Sequence, residues 1–194
     1  TVNYSLSTGG QTIKSATYNN LTLSNTSGTD TAGGTLTVNT GLTTTNGGTL
    51  DMSTYQLLGG FTPTNNGTIT TSYASGTNPA IPTGQNWTGT TGGVTFALAT
   101  GAQYVPAGTF TTLIFSNTSN TDTAQGIITT TNLTTTSGGT LDMGSYALTV
   151  TTPTNGGTLK TQNTSATPIS SGKTWTGTVV YSSTAGGQTV VAGI

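Results

Sequence analysis

An internal repeat of about 90 residues is the feature that most constrains how this chain folds. The block Gly47–Met52 returns unchanged as Gly138–Met143, and Ser24–Ala32 returns as Ser116–Ala124 with one substitution. The offset between matching blocks becomes shorter from the start of the unit to its end. Short deletions between fixed blocks are typical of a repeated scaffold whose loops vary in length.

The matching blocks divide the chain into two full units and two partial ones. Residues 9–100 form one unit and residues 101–185 a second. Residues 1–8 repeat the tail of a preceding unit, and residues 186–194 repeat the start of a following one. We therefore expect a segment of a longer array, whose partners are copies of the same repeat in the same chain or in neighbouring subunits of a filament.

Composition excludes most catalytic chemistry. The chain has no His, Cys, Glu or Arg, and its seven charged residues are three Lys and four Asp. Zinc and thiol chemistry need His or Cys, and no general base tuned near neutral pH is present. Three lysines in a chain of net charge −1 offer little to a phosphate backbone. We predict no enzyme activity, no catalytic residue, no metal site, no cofactor and no nucleic-acid partner.

Apolar residues alternate with Thr or Asp, which is the period-2 pattern of strands with one buried face. The predicted fold is all-β, a right-handed parallel β-solenoid (β-helix) of about four or five coils per unit, because the strands and turns are short. Tandem β-sandwich domains, one per unit, are the alternative. No apolar run approaches the length of a transmembrane helix. The positions expected to recur as structural elements are Leu21, Leu36, Leu50, Asp51, Leu113, Leu141 and Asp142.

Several blocks of the unit resemble a known family. They are Gly9–Ile13 followed by Ala16–Ser24, then Gly48–Met52 and Trp175–Tyr181. In these blocks the chain resembles the long repetitive β-strand surface proteins of gliding and filamentous bacteria, and the resemblance covers essentially the whole sequence. It implies a secreted, very large adhesin or extracellular fibre with β-helical architecture, located outside the cell or at its surface. It brings no catalytic residues with it.

The four Asp residues occupy two pairs of matching positions, Asp30 with Asp122 and Asp51 with Asp142. Calcium takes six to eight oxygens, usually from several carboxylates close in sequence, whereas each Asp here stands alone within about 20 residues. We therefore expect these carboxylates to form hydrogen bonds at turns or coil corners.

Trp87 and Trp175 also recur, each followed by Thr-Gly. An exposed Trp is a surface on which a sugar ring stacks, whereas a core Trp fills space and bonds its N–H to a carbonyl. The sequence leaves both interpretations open, and the first makes Trp87 and Trp175 candidate glycan-stacking residues.

The function expected from these features is that of a non-catalytic structural segment of a long extracellular filament or cell-surface adhesin, providing reach and rigidity. A carbohydrate- or ice-binding β-helix module is one alternative. Runs such as Thr43–Thr45 and Thr134–Thr136 would order water if they stacked in register, but uneven strand spacing argues against ice. A pilin-like subunit that polymerises end to end is the other alternative. Cell-surface glycans are the second class of expected partner.

Overall fold

The computed structural model describes residues 1–74, 77–90 and 92–193, and Ile194 of the partial last unit lies outside them. The described residues form short strands and no helix, so they contain no helix that is long and apolar enough to cross a membrane. The strands assigned in these residues are β1 (Val2–Tyr4), β2 (Thr12–Ile13), β3 (Thr17–Leu23), β4 (Thr29–Ala32), β5 (Leu36–Thr44), β6 (Thr49–Asp51), β7 (Leu57–Leu58), β8 (Thr62–Asn65), β9 (Thr68–Thr71), β10 (Gln85–Trp87), β11 (Gly93–Phe96), β12 (Tyr104–Val105), β13 (Gly108–Phe115), β14 (Thr121–Ala124), β15 (Ile128–Thr135), β16 (Thr140–Asp142), β17 (Leu148–Asn155), β18 (Thr158–Thr161) and β19 (Thr178–Tyr181).

Alternation of buried and exposed side chains accounts for these strands. In β5 the side chains of Leu36, Val38 and Leu42 are buried, while Thr37 and Thr43 are partly exposed on the outer face. Because Thr is β-branched, it suits the outer face of a pleated strand and keeps that face polar without charge. The Thr-rich composition therefore produces strands with one solvent-exposed face and one buried face.

The strands assemble into three parallel sheets. The first contains β1, β3, β5, β7 and β8, the second has nine strands, and the third contains β12, β14, β16, β18 and β19. Each coil of chain lies on the one before it, which gives a β-solenoid of about 9 turns. The predicted all-β parallel solenoid is confirmed, and the antiparallel sandwich alternative is not what the chain forms. The right-handed sense of the coil stays a prediction.

Paired residues in neighbouring coils are separated by one turn of chain, and the length of that turn varies. It is shortest between the paired residues Thr140 and Thr158 and longest between Thr68 and Gly93. Most pairs lie about 20 residues apart, so one sequence unit holds between four and five coils, at a spacing of ~4.8 Å. Coil length thus changes along the chain while the strand pairing continues.

One hydrophobic core runs inside the coils and is built from Leu, Ile, Val, Met and aromatic side chains. Leu50 lies beside Ile69 of the next coil, and Leu141 lies beside Leu159 in the same way. Each such burial stabilises the fold by about 1.5–3 kcal/mol. The predicted recurring Leu positions are all at most 1% exposed: Leu21, Leu36, Leu50, Leu113 and Leu141.

Strand β11 joins the two sequence units in one sheet. Val94 pairs with Ile69 of β9 on one side and with Leu113 of β13 on the other. Phe96 stacks on Phe115, with ring centroids 5.4 Å apart and ring planes 14° from parallel. Strand pairing and core packing therefore continue from the first unit into the second.

Equivalent strands of the two units lie in different sheets. Strands β3 and β13 carry matching sequence, yet β3 belongs to the first five-stranded sheet and β13 to the nine-stranded sheet. Strand β4 belongs to the nine-stranded sheet, whereas its counterpart β14 belongs to the third sheet. A unit is therefore not a whole number of coils, and each unit begins on a different sheet from the one before.

Glycine is required where two equivalent corners approach the preceding coil. Gly47 and Gly138 have φ angles of 86° and 89°. A Cβ atom at either position would overlap a main-chain oxygen, that of Thr26 or Thr118 respectively. Because only glycine combines a left-handed φ with such close packing, the Gly-Gly pair of the repeated block marks a fixed corner of the coil.

Candidate functional site

Asp51 and Asp142 stabilise the turns that follow them. In each case Oδ1 accepts the main-chain N–H two residues on, from Ser53 at 2.7 Å and from Gly144 at 2.8 Å. This is the geometry of an Asx turn, in which a carboxylate replaces a backbone acceptor. The predicted turn role of these two residues is confirmed.

Asp142 also forms an ion pair with Lys160, whose Nζ lies 2.8 Å from Oδ2. The two side chains are 16% and 35% exposed, so solvent screening keeps the contribution at about 1 kcal/mol or less. In the first unit Asp51 pairs in register with Thr70, so the ion pair is particular to the second unit. Across the described ranges, no three His, Cys, Asp or Glu side chains come together.

Asp30 and Asp122 are fully buried within strands. Their Oδ1 atoms accept the main-chain N–H groups of Gln11 at 2.9 Å and Gln103 at 3.0 Å, each in the preceding coil. Both Oδ2 atoms lack a hydrogen-bond partner in the described part of the chain. Burial raises the pKa of Asp122 to about 6, against the opposing effect of the bonds from the Gln103 N–H and the Asn117 side chain. These bonds join successive coils instead of closing a turn.

A Gln side chain closes the loop that starts each unit. In Gln103, Oε1 accepts the N–H of Leu98 at 2.9 Å, and Nε2 donates to the carbonyls of Thr71 and Tyr73 at 3.1 and 3.2 Å. Gln188 forms the same three bonds at the next unit boundary, with Ser183, Thr161 and Asn163. Sequence reasoning did not single out these residues, although Gln stands at the same place in all three unit starts.

A second buried polar contact also repeats. Thr44 donates its Oγ1 hydrogen to Oδ1 of Asn65 at 2.8 Å, and Thr135 does so to Asn155 at 2.6 Å. The same hydroxyl oxygens accept a glycine N–H at the following corner. Such satisfied internal networks fix the relative position of neighbouring coils.

The two tryptophans differ in environment. Trp87 is 0% exposed and packs edge-on against Phe61, with ring centroids 5.9 Å apart. Trp175 is partly buried against the same core. Both Nε1 atoms are buried without a hydrogen-bond partner among the described residues, so the expected N–H to carbonyl bond is not formed. Trp87 offers no ring face to a glycan, which leaves Trp175 as the only member of the pair with any exposed surface.

The Thr runs do not build one flat surface. Thr43–Thr45 begins at the end of β5 in the first sheet, and Thr134–Thr136 begins at the end of β15 in the nine-stranded sheet. An ice-binding face needs threonines stacked in register on one plane. The equivalent runs of the two units instead lie on different sheets.

Two open grooves occur at matching places in the two units. One holds about 380 Å³ and is lined by Gln56, Leu58, Gly59, Asn78, Pro79, Ile81 and Pro82. The other holds about 350 Å³ and is lined by Leu148, Thr149, Val150, Thr167, Ile169, Ser170, Ser171 and Lys173. Each lies between the strand after the Asx turn and the loop segment that follows one coil later. No pattern in the sequence signals them, because they arise from the path of that loop.

The fold and its repeated polar contacts define a β-solenoid repeat protein. No protein-family model, curated protein or solved structure matches the chain. The resemblance to surface proteins of gliding and filamentous bacteria therefore stays a prediction.

Proposed function

We propose that this chain is a non-catalytic structural segment of a long extracellular filament or cell-surface adhesin, and that it provides reach and rigidity. The observation that carries the proposal is the nine-stranded sheet, which crosses the boundary between the two sequence units at β11. A chain of separate domains would have a linker at that boundary. Here strand pairs and stacked phenylalanines occupy it.

Rigidity follows from the way the coils are joined. Successive coils share main-chain hydrogen bonds, a common core and the internal bonds of the Gln and Asn side chains. Bending the rod would stretch all of these on one side at once. About 9 turns at a spacing of ~4.8 Å give a rod of roughly 40 Å, with each unit adding about 20 Å.

The surface suits an environment of uncontrolled salt concentration. Only seven of the 194 residues carry charge, and two of the four carboxylates are buried. Screening by salt acts on exposed charges, so a rod held together by strand pairs and core packing is little affected by it. This supports the extracellular part of the proposal.

The alternatives receive different support. An ice-binding module is disfavoured, because the equivalent Thr runs lie on different sheets. A pilin-like subunit that joins copies end to end would have the same rod structure. The filament proposal and the pilin alternative both involve contact with copies of the repeat.

Electron microscopy of chains carrying two, four and six joined units tests the structural role. The proposal predicts straight particles whose length grows in proportion to the number of units, by about 20 Å each. Curled or beaded particles would contradict it.

Surface location is tested separately by antibody labelling of intact cells of the source organism, and staining only after permeabilisation would contradict that part.

A further inference from the structure

The two grooves are built in the same way. In the first unit the N–H of Leu57 donates to the carbonyl of Ala80 at 2.9 Å, and Nε2 of Gln56 donates to the carbonyl of Pro79 at 3.1 Å. In the second unit the N–H of Leu148 donates to the carbonyl of Pro168 at 3.0 Å. These bonds hold the loop segment against the strand on one side and leave an open groove beside it.

The lining of each groove has the chemistry of a site for an uncharged, hydroxyl-rich molecule. The first groove combines apolar surface from Leu58, Ile81 and Pro82 with amide side chains, and none of the described residues that line it is charged. The second combines apolar surface with Thr and Ser hydroxyls and is also lined by Lys173. Volumes of about 350 and 380 Å³ are at the small end of ligand sites, which suits a short stretch of a sugar chain.

An exposed tyrosine stands beside each groove in the sequence. Tyr55 is 38% exposed and directly precedes Gln56, and Tyr146 is 39% exposed two residues before Leu148. Both donate their main-chain N–H to the carbonyl of a buried Met, Met52 and Met143, which fixes the turn. A partly exposed Tyr supplies a flat apolar ring and a hydroxyl, a combination used at binding surfaces.

We propose that each groove, together with the tyrosine that shortly precedes its lining strand in the sequence, is a subsite for a neutral oligosaccharide, so that the chain carries one saccharide site per sequence unit. A sugar ring has apolar C–H faces for Tyr55, Leu58 and Pro82 and hydroxyls for the amide and hydroxyl side chains. This assignment is independent of the rod function, which holds whether or not the grooves are occupied.

The change of sheet between units sets how the sites are displayed. Tyr55 lies between β6 of the nine-stranded sheet and β7 of the first sheet, where the chain leaves the nine-stranded sheet. Tyr146 lies between β16 of the third sheet and β17 of the nine-stranded sheet, where the chain enters it. A coil leaves and enters a given sheet at different corners. The two sites therefore face different directions, which fits a surrounding hydrated polysaccharide better than a flat crystalline surface.

Isothermal titration calorimetry with soluble hexasaccharides of glucose, mannose and N-acetylglucosamine tests the proposal. We expect saturable binding of at least one of them at two sites per chain. Leu58→Asp and its second-unit counterpart Thr149→Asp should each reduce the stoichiometry from two to one, and the double variant should abolish binding. Tyr55→Ala should weaken one of the two sites by roughly threefold to tenfold.

Matched controls separate the grooves from the rest of the surface. Ile127 is 59% exposed and lies outside both grooves, so Ile127→Asp should leave the stoichiometry at two. An uncharged decapeptide of Ser, Thr and Pro serves as the comparison probe. Absence of saturable binding by all three saccharides, binding that ignores the Leu58 and Thr149 variants, or binding of the peptide alone would each overturn the proposal.

Discussion

Gln103 donates its main-chain N–H to the buried carboxylate of Asp122, and Gln11 does the same for Asp30 one unit earlier. The first pair joins β12 to β14 in the third sheet, and the second joins β2 to β4 in the nine-stranded sheet. The equivalent Gln–Asp pairs of the two units thus connect successive coils on different sheets. A contact between successive coils that the repeat encodes is kept, while its position around the rod changes.

The buried carboxylate of Asp122 should make stability depend on pH. Its pKa is raised by burial from 3.8 to about 6, so the ionised form is disfavoured in the folded chain. The contribution of Asp122 to the free energy of unfolding should be largest below pH 4, decline between pH 4 and about 6, and stay level above that. A shift of this size corresponds to about 3 kcal/mol. Urea unfolding between pH 3 and pH 8 measures it.

The variant Asp122→Asn should remove that part of the pH dependence, since Asn keeps an acceptor for the Gln103 N–H and does not ionise. Asp51→Asn is the matched control, because it removes the same charge at a partly exposed turn. An Asp122→Asn chain whose unfolding free energy still falls between pH 4 and pH 6 as in the parent would show that another group is responsible.

Replacing Gln103 by Ala should destabilise the chain by about 1–3 kcal/mol, because the Leu98 N–H and the Tyr73 carbonyl lose their partner and the Thr71 carbonyl keeps only the bond from the Ala97 N–H. Gln11→Ala is the matched comparison: Gln11 accepts the equivalent bond from Leu6 at 2.8 Å at the first coil of the chain. We expect Gln11→Ala to lower the free energy of unfolding by less than Gln103→Ala does, as measured by guanidinium unfolding of both variants. Equal losses would mean that the bonds of Gln103 to Thr71 and Tyr73 contribute little.

The glycine corners give a comparison within the chain. Gly138→Ser should destabilise by several kcal/mol, because the new Cβ would overlap the Thr118 carbonyl oxygen in addition to the ~1–2 kcal/mol of a left-handed residue. Gly144→Ser should be tolerated, since Gly144 has open space around it and its counterpart Ser53 already adopts a φ of 51°. Thermal unfolding distinguishes them. Similar melting temperatures for the two variants would contradict the overlap.

The inward face of the strands could be predicted from the sequence, because alternation of Leu with Thr reports burial directly. The turn role of Asp51 and Asp142 was accessible for the same reason, since an Asx turn involves only residues close in sequence. The buried hydrogen bond between Asp122 and Gln103 could not be predicted from the sequence, because it joins positions 19 residues apart. Which residues meet across coils depends on loop lengths that vary from unit to unit.

The change of sheet between units was also beyond sequence reasoning. A repeat determines which blocks match, but the number of coils in a unit follows from coil lengths that differ, as between the Thr140–Thr158 and Thr68–Gly93 pairs. A unit made of such coils does not close on a whole number of turns.

The burial of Trp87 has a similar origin, since Phe61, which is distant in the sequence, covers it from beside β8. The two grooves could not be predicted either, because they arise from the path of the loop segment that lies one coil after the lining strand.

Strand β11 pairs with both β9 and β13 and so makes the solenoid continuous across the boundary between the two units, and disulfide trapping measures this pairing. The chain has no Cys, and Thr95 is in register with Thr70 on one side and Ile114 on the other. Neighbouring Cα atoms across strands lie about 4.8 Å apart, within the range that a disulfide spans. We expect rapid oxidation of the Thr95→Cys/Ile114→Cys and Thr95→Cys/Thr70→Cys chains to intrachain disulfides. We expect no disulfide in Thr95→Cys/Thr22→Cys, because Thr22, the counterpart of Ile114, pairs with Asn3 and Thr43 in the first sheet. Failure of the Thr95/Ile114 pair to close, or closure of the Thr95/Thr22 pair, would contradict a solenoid that runs continuously through both units.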